Sequence, residues 1–418
     1  MHDLSQPYPQ GSVKKQPASP SFSLPLVSII IVNYNYGRYL REAVDSVFGQ
    51  SYPNIECIIV DNASTDESPE VLHGLSKQYP GTTILRRNDN GGQSLASKEG
   101  FDIARGEYVV FLDADDVLMP AFVETSVFVH LSLRIPVGFT SADMAQAVGS
   151  RLVLGTYYGL SGFVRSGRGR MKNLMRRVDD YAPELWPLRR FEDGIEKQVH
   201  LIQPRDVKDW YWAPTSGNCF RRDALQFFLN NENLAALKSC TDSYLIRGVS
   251  VLMGSAIIDR PLAIYRLHGM NAFSKHPHLY GMLTYEKGAP LDNDILGRKM
   301  LMDHMLAKSG IFSAKANSRV DFINALQALD LSYPILPSAI AGYHSYLTGQ
   351  LVLGLSQRRP KKSWLGLLLT PKSERSSPAS RLLQNVFAFI LRLNRAQREL
   401  LLTFLKLNAE ETNSSSQI

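Results

Sequence analysis

The run VSIIIVN at residues 27–33 places the tightest constraint on the fold. A strand with one wet face alternates apolar and polar side chains. Ile29, Ile30, Ile31 and Val32 in succession leave no wet face, so this segment reads as a strand covered on both sides, as in a parallel sheet flanked by helices. The pattern then repeats. IECIIV at 55–60, Thr83–Arg86 and EYVVFL at 107–112 are further strands. Between them, Tyr39–Phe48 carries Leu40, Val44 and Val47 at helical spacing, a second helix starts near Ser68 behind the capping cluster 61–66, and a third runs through Phe101. Such a β-α-β-α-β-α-β series implies a doubly wound sheet, in which ligands bind beyond the carboxyl ends of the strands. The polar clusters at 33–38, 61–66, 88–92 and 113–116 fall at those ends.

With 418 residues, 44% hydrophobic and 20% charged, the chain is long enough for two or three units and one large core. Cys57, Cys219 and Cys240 form no CxxC pair, so neither a disulfide framework nor a zinc cage is indicated, and a reducing compartment is expected. The net charge of +7 is concentrated late: residues 351–406 hold eleven basic and two acidic side chains, whereas residues 1–350 are balanced. No generic polyanion surface follows, and nucleic acid is not an expected partner.

Residues 1–25, rich in Pro, Ser and Gln, read as a disordered leader without a secretory h-region. No apolar stretch approaches the roughly 20 residues of a membrane-spanning helix. Helical spacing marks Leu291–Leu306 and Arg381–Leu407. Arg358, Arg359, Lys361 and Lys362 ahead of Trp364 suit helices lying on anionic lipid, or a helical unit packed on the core with a solvated basic face. Residues 408–418 read as a frayed tail.

The fourth strand runs into Asp113-Ala114-Asp115-Asp116. Three carboxylates at the end of an apolar strand repel one another unless a cation is present, and hard divalent ions take such oxygens together with substrate phosphates. A capping cluster is the alternative, with Met119-Pro120 opening the next helix. Two familiar nucleotide sites are missing. The position after the first strand reads NYNYGR rather than GxGxxG, and no GxxxxGK[ST] occurs, so a nicotinamide enzyme or a P-loop ATPase is not indicated.

Over residues 27–276 these motifs resemble glycosyltransferase family 2, with its GT-A nucleotide-sugar fold. The resemblance is carried in order by VSIIIVNYNYGRYLREAVDSVFGQSYPNIECIIVDNASTD, DNGGQSLASKEGFDIARGEYVVFLDADDVLMP, PTSGNCFRRDAL, CTDSYLI and RPLAIYRLHGMN. It implies transfer of a sugar from a nucleoside-diphosphate donor, a UDP-sugar foremost, to a hydroxyl of a saccharide or lipid-linked acceptor, with inversion at the anomeric carbon. It also implies Mg2+ or Mn2+ at the DxD, held principally by Asp115 with Asp113 toward the ribose and metal side, Asp116 lining the site and His268 returning as a closing ligand.

By the same resemblance Val32, Asn33, Tyr34, Asp61 and Asn62 hold the base and ribose. Many members carry paired aspartates where this chain has Asp61-Asn62, which leaves the base open because an amide donates as well as accepts. Gly91, Gly92 and Gln93 are expected to let backbone approach the nucleotide closely. Lys98 reads as a phosphate contact or a solvated helical lysine, and Arg266 as a fork for phosphate oxygens. Inversion needs a base on the acceptor side. Asp242 holds the matching position, and an N-cap for the helix from Ser243 is its other reading.

Arg165–Arg177 reads as a mobile basic loop, lining the acceptor path or merely solvated. Trp210, Tyr211 and Trp212 read as a sugar platform or as core. The expectation is therefore a GT-A-like doubly wound mixed sheet over 26–280 followed by a basic, amphipathic helical extension over 281–407. It would be a metal-dependent hexosyltransferase-type enzyme of cell-surface polysaccharide or glycoconjugate synthesis, cytoplasmic and peripheral to the inner face of the membrane. The QxxRW signature of processive synthases is absent, which points to transfer of single sugars. The alternatives are an inactive membrane-associated protein of the same fold and a sugar nucleotidyltransferase.

Overall fold

The computed structural model describes residues 23–188, 190–207, 209–271 and 291–316, with the single positions 322, 326 and 329. The first half follows the expected alternation: β1 (Val27–Asn33), α1 (Gly37–Phe48), β2 (Ile55–Asp61), α2 (Ser68–Gln78), β3 (Thr83–Arg86), α3 (Gln93–Ile103) and β4 (Tyr108–Asp113). Then come β5 (Val117–Leu118), α4 (Phe122–Ser132), β6 (Phe139–Val148), β7 (Arg151–Leu154), α5 (Tyr158–Arg165), α6 (Val178–Tyr181) and β8 (Val199–Ile202). The second half closes with β9 (Asn218–Arg221), α7 (Arg222–Leu229), α8 (Thr241–Met253), β10 (Ser255–Leu267), α9 (Leu291–Ala307) and α10 (Ser309–Lys315).

Ten strands form one mixed sheet in the order β3-β2-β1-β4-β9-β6-β10-β5, with β7 on β6 and β8 on β10. The four strands β3, β2, β1 and β4 are parallel, and β9 enters antiparallel between β4 and β6. Register sets Asn33 beside Asp61 and Val32 beside Asp113, so the polar strand ends stand together at one edge.

The unbroken aliphatic run of β1 is explained by its two covered faces. Ile30 belongs to one apolar cluster with Ala96, Phe101, Phe228, Leu245 and Leu301, whereas Ile29 and Ile31 belong to a second with Leu40, Val44, Leu72, Phe122 and Val127. Each fully buried isoleucine stabilises the fold by roughly 1.5–3 kcal/mol relative to exposure. Helix α3 lies so close to β1 that a Cβ on Gly100 would stand 2.5 Å from Ile30 Cγ2.

Several boundaries differ from those read in the sequence. Asp61 and Asp113 are the last residues of their strands rather than loop residues, because each still pairs with a neighbour in the ladder. The short strand β5 was not foreseen, and it delays the next helix from Met119-Pro120 to Phe122 by pairing with β10.

Part of the expected basic loop is fixed rather than mobile. Arg177 is bound by Asp179 at 2.9 Å and by the Phe191 carbonyl, and Arg168 lies over the rings of Phe163 and Tyr211. Trp212 and Tyr211 belong to the core. Trp212 is fully buried and donates from Nε1 to Ser255 Oγ at 2.8 Å, so it is no sugar platform. All three cysteines are free and buried.

Among the described residues no helix is long and apolar enough to cross a membrane. The expected leader to residue 22, the boundary at 280/281, the basic segment 358–364, the helix Arg381–Leu407 and the tail 408–418 lie outside the described residues.

Candidate active site

The site is built where β1, β2 and β4 end. Asn33, fully buried, directs its amide Nδ2 to Asp61 Oδ1 at 3.0 Å, Ser64 Oγ at 3.0 Å and Ser68 Oγ at 2.9 Å. It thereby ties the end of β1 to that of β2 and to the start of α2. Asp66 completes the joint, accepting from Gly37 N–H at 2.8 Å and from Ser68 N–H at 3.0 Å. These are the free amides at the starts of α1 and α2, which is where a carboxylate stabilises most. Tyr34 follows on the rim, 40% exposed.

Asn62 holds the next loop. Its Nδ2 donates to Asn90 Oδ1 at 2.8 Å while its Oδ1 accepts from Gly91 N–H at 3.1 Å. An aspartate could do only the second, which gives a structural reason for the amide at this position. Of the glycines after it, Gly92 also meets a packing requirement. Gly92 has φ +89°, and a Cβ there would lie 2.7 Å from Lys238 Cα, so glycine is required by the neighbouring chain. Gln93 N–H donates to the Lys238 carbonyl at 2.8 Å, and Lys238 Nζ donates to the Gly91 carbonyl at 3.1 Å.

At the end of β4 the three aspartates have distinct surroundings. Asp113 accepts from Gln93 Nε2 at 3.2 Å, and burial, then Asp115 and Asp242, push it well above the usual carboxylate range. Asp116 is 1% exposed and is held by Ser216 Oγ at 2.6 Å and by the Arg266 amide at 3.2 Å. Burial foremost, then its two acidic neighbours, raise it also. Ser216 Oγ accepts from the Asp113 amide at 3.1 Å, so one hydroxyl bridges the turn. Asp116 is thus an anchor, and Ser216, inside the quoted PTSGN stretch, is a functional position that pattern reading passed over.

Asp115 meets His268: Nε2 to Oδ2 is 2.9 Å. The His268 Nδ1 accepts from Met270 N–H at 3.3 Å, which assigns the proton to Nε2. Asn271, unremarked as a single residue, accepts from His268 N–H at 2.9 Å, donates to the Arg266 carbonyl at 2.7 Å and lies 3.4 Å from Asp115. The Tyr39 ring stacks on His268 at 4.6 Å between centroids. Arg266 is clamped, with Nη1 at 3.0 Å from Glu42 and its guanidinium over Tyr39, while Nη2 is buried and unpartnered. Lys98 pairs with Asp102 one helical turn on, at 2.5 Å.

Asp242 stands opposite. It is the second residue of α8, not its cap; the capping position is Cys240, in the left-handed region at φ 60°. Burial, with Asp294 adding to it, pushes its carboxyl up to about 6. Asp242, Thr241, Thr215 and Gln93 line one narrow void of roughly 10 Å3 with Phe111 and Phe220. The structure therefore brings Gln93, Asp113 and Asp242 to one place, and Asp115 to His268. Among the described residues no three His, Cys, Asp or Glu side chains converge as a metal-binding group. A larger cavity of about 400 Å3 lies elsewhere, lined by Gln146, Thr156, Ser161, Arg165 and Asp259 among others.

Residues 28–129 match the family Glycosyl transferase family 2. The chain is 31% identical over 245 residues, 59% of its own length, to the protein named "Uncharacterized glycosyltransferase alr2836" of Nostoc sp., of which it spans 66%. It is 37% identical over 100 residues, 24% of its length, to glycosyltransferase GlyG of Streptococcus pneumoniae, of which it spans 33%. Among solved structures, S. aureus TarS residues 1–349 with UDP superposes at a TM-score of 0.44 with 13% identity, covering 78% of this chain and 82% of that one. The mannosyltransferase PcManGT from Pyrobaculum calidifontis, in complex with GDP-Man and Mn2+, superposes at 0.41 with 18% identity, covering 94% and 88%. By residues 28–129 the chain belongs to glycosyltransferase family 2.

Proposed function

We propose that the chain is an inverting glycosyltransferase that moves one sugar from a nucleoside-diphosphate donor, a UDP-sugar foremost, to an acceptor hydroxyl in surface polysaccharide or glycoconjugate synthesis. The observation that carries this reading is the approach of two acidic groups. Asp113, held by Gln93, feels the charge of Asp242, and Gln93 and Asp242 line one narrow void. Inversion asks for that division of labour, with leaving-group stabilisation on one face of the anomeric carbon and proton removal on the opposite face.

Asp242 takes the acceptor proton as the hydroxyl attacks. A carboxylate raised to about 6 remains ionised near neutrality and is a stronger base than an ordinary aspartate. On the donor side, the Asn33–Asp61 joint shapes the floor and Asn62 fixes the loop 90–92 against it. Asp113, Asp115 and His268 do not converge as a metal-binding group as they stand, but they would hold a divalent ion if drawn together, two hard carboxylates with an imidazole, and a cation would offset the burial and the repulsion that raise Asp113. A bound Mg2+ or Mn2+ supplies neutralisation of charge on the departing diphosphate.

The test is release of nucleoside diphosphate from UDP-glucose, UDP-N-acetylglucosamine and GDP-mannose with Mn2+ or Mg2+, comparing the wild type with Asp115→Ala. We expect metal-dependent release lowered at least about a hundredfold by the substitution, the usual scale for losing a charge-stabilising group. Turnover indifferent both to metal and to Asp115→Ala refutes the reading.

A further inference from the structure

The loop 90–92 with the start of α3, and the segment 238–241 that leads into α8, are joined by three hydrogen bonds that differ in kind. Two involve Lys238, an exposed residue: Gln93 N–H to its carbonyl, and its ammonium to the Gly91 carbonyl. The third is a buried pair of hydroxyls, Ser94 Oγ and Thr241 Oγ1, 2.6 Å apart, with Ser94 0% and Thr241 3% exposed. Either oxygen can donate, and removing one orphans a buried partner. Ser94 follows Gln93, the residue that holds Asp113, and Thr241 precedes Asp242. One dipeptide at the start of α3 therefore bonds both Asp113 and the residue next to Asp242.

We propose that Ser94, through Thr241, is the positioning residue for the Asp242 carboxylate; this deepens the reading of Asp242 as the base and rests on it. The geometry supports the role in two ways. Helix α8 is entered from Cys240 in a left-handed conformation that L-residues seldom adopt, so its first turn is held from outside rather than by a cap of its own. Asp242 Oδ1 accepts from the adjacent Ser243 N–H at 2.8 Å, a bond within the same turn that does not reach another element. Fixing the Thr241 side chain fixes the rotation of that turn about the helix axis, and with it the direction of the next side chain.

The experiment measures steady-state nucleotide release by the full chain with saturating MnCl2, using whichever of UDP-glucose, UDP-N-acetylglucosamine or GDP-mannose the wild type turns over fastest. The variants are Ser94→Ala, Thr241→Val, their double, Thr241→Ser and Asp242→Asn, each checked for folding by circular dichroism. We expect Ser94→Ala and Thr241→Val each to lower kcat about tenfold or more with donor KM changed less than about twofold, since a misplaced catalytic group costs rate rather than binding. The double variant should be no slower than the slower single, and Thr241→Ser, which restores the hydroxyl, should recover most of the rate. Wild-type kcat in either single variant, additive losses, or a rise in KM alone overturns the positioning role while an inactive Asp242→Asn leaves the base reading standing. Full activity in Asp242→Asn, or no release from any donor by the wild type, overturns both. Ser94→Ala removes one oxygen only, so it decides the matter if Thr241→Val does not fold.

Discussion

Asp242 is where single atoms decide the chemistry. Its carboxyl is raised from 3.8 to about 6, chiefly by burial, so the ionised, proton-accepting form is lost as pH falls through about 6. We expect kcat/KM to drop about tenfold per pH unit below that value and to level off above it, whereas a carboxylate at its ordinary value would hold the rate flat to about pH 4. A pH–rate profile flat to pH 4.5 removes Asp242 from the role. Asp242→Asn is expected to bind a UDP-sugar within about twofold of wild type by calorimetry while losing transfer, because the amide keeps the shape and abolishes the base. Arg266 shows the reverse case of a charge already engaged. Its fork is held by Glu42 and the Tyr39 ring, which leaves one buried nitrogen without a partner.

At the scale of elements, the loop 90–92 is made by its neighbours. Gly92→Ala must place a Cβ against Lys238 backbone at a φ that alanine avoids, which is expected to cost about 1–3 kcal/mol of stability. A shift in the denaturation midpoint measures it, and an unchanged midpoint shows that the loop relaxes freely. The strands of the first half were legible because consecutive aliphatics admit only a two-sided burial, and the helices because Leu40, Val44 and Val47 keep one face. Strand β5 was not legible: Val117 and Leu118 carry no period, and they become a strand only by pairing with Ala263 and Ile264, far along the chain. The partners of the site were hidden for the same reason. Asp115 and Asp242 stood out by composition and motif, but Ser216, Ser94 and Asn271 are common polar residues whose roles come from tertiary neighbours. Asp242 as a cap failed because the chain enters α8 through Cys240.

For the molecule as a whole, the two hydrophobic faces of the sheet account for the three cysteines. Cys57 and Cys219 lie within one of those faces, and Cys240 is 4% exposed at the start of α8. Burial raises all three thiols: Cys57 and Cys240 are pushed up to about 12, and Cys219 goes up likewise. We expect none to react with iodoacetamide in the native protein at neutral pH and all three to react in guanidinium chloride, with dithiothreitol leaving the thermal midpoint unchanged. Rapid labelling of the native protein would show that the sheet opens more readily than its packing indicates.

The pairing of Asp115 with His268 and Asn271 bridges more than 150 residues. During synthesis, a nascent chain that has emerged only through α7 can already assemble its parallel strands, yet the histidine that completes the acidic end is still inside the ribosome. Closure of that end thus follows assembly of the parallel strands, and a protein truncated within β10 before His268 would lack the finished acidic end.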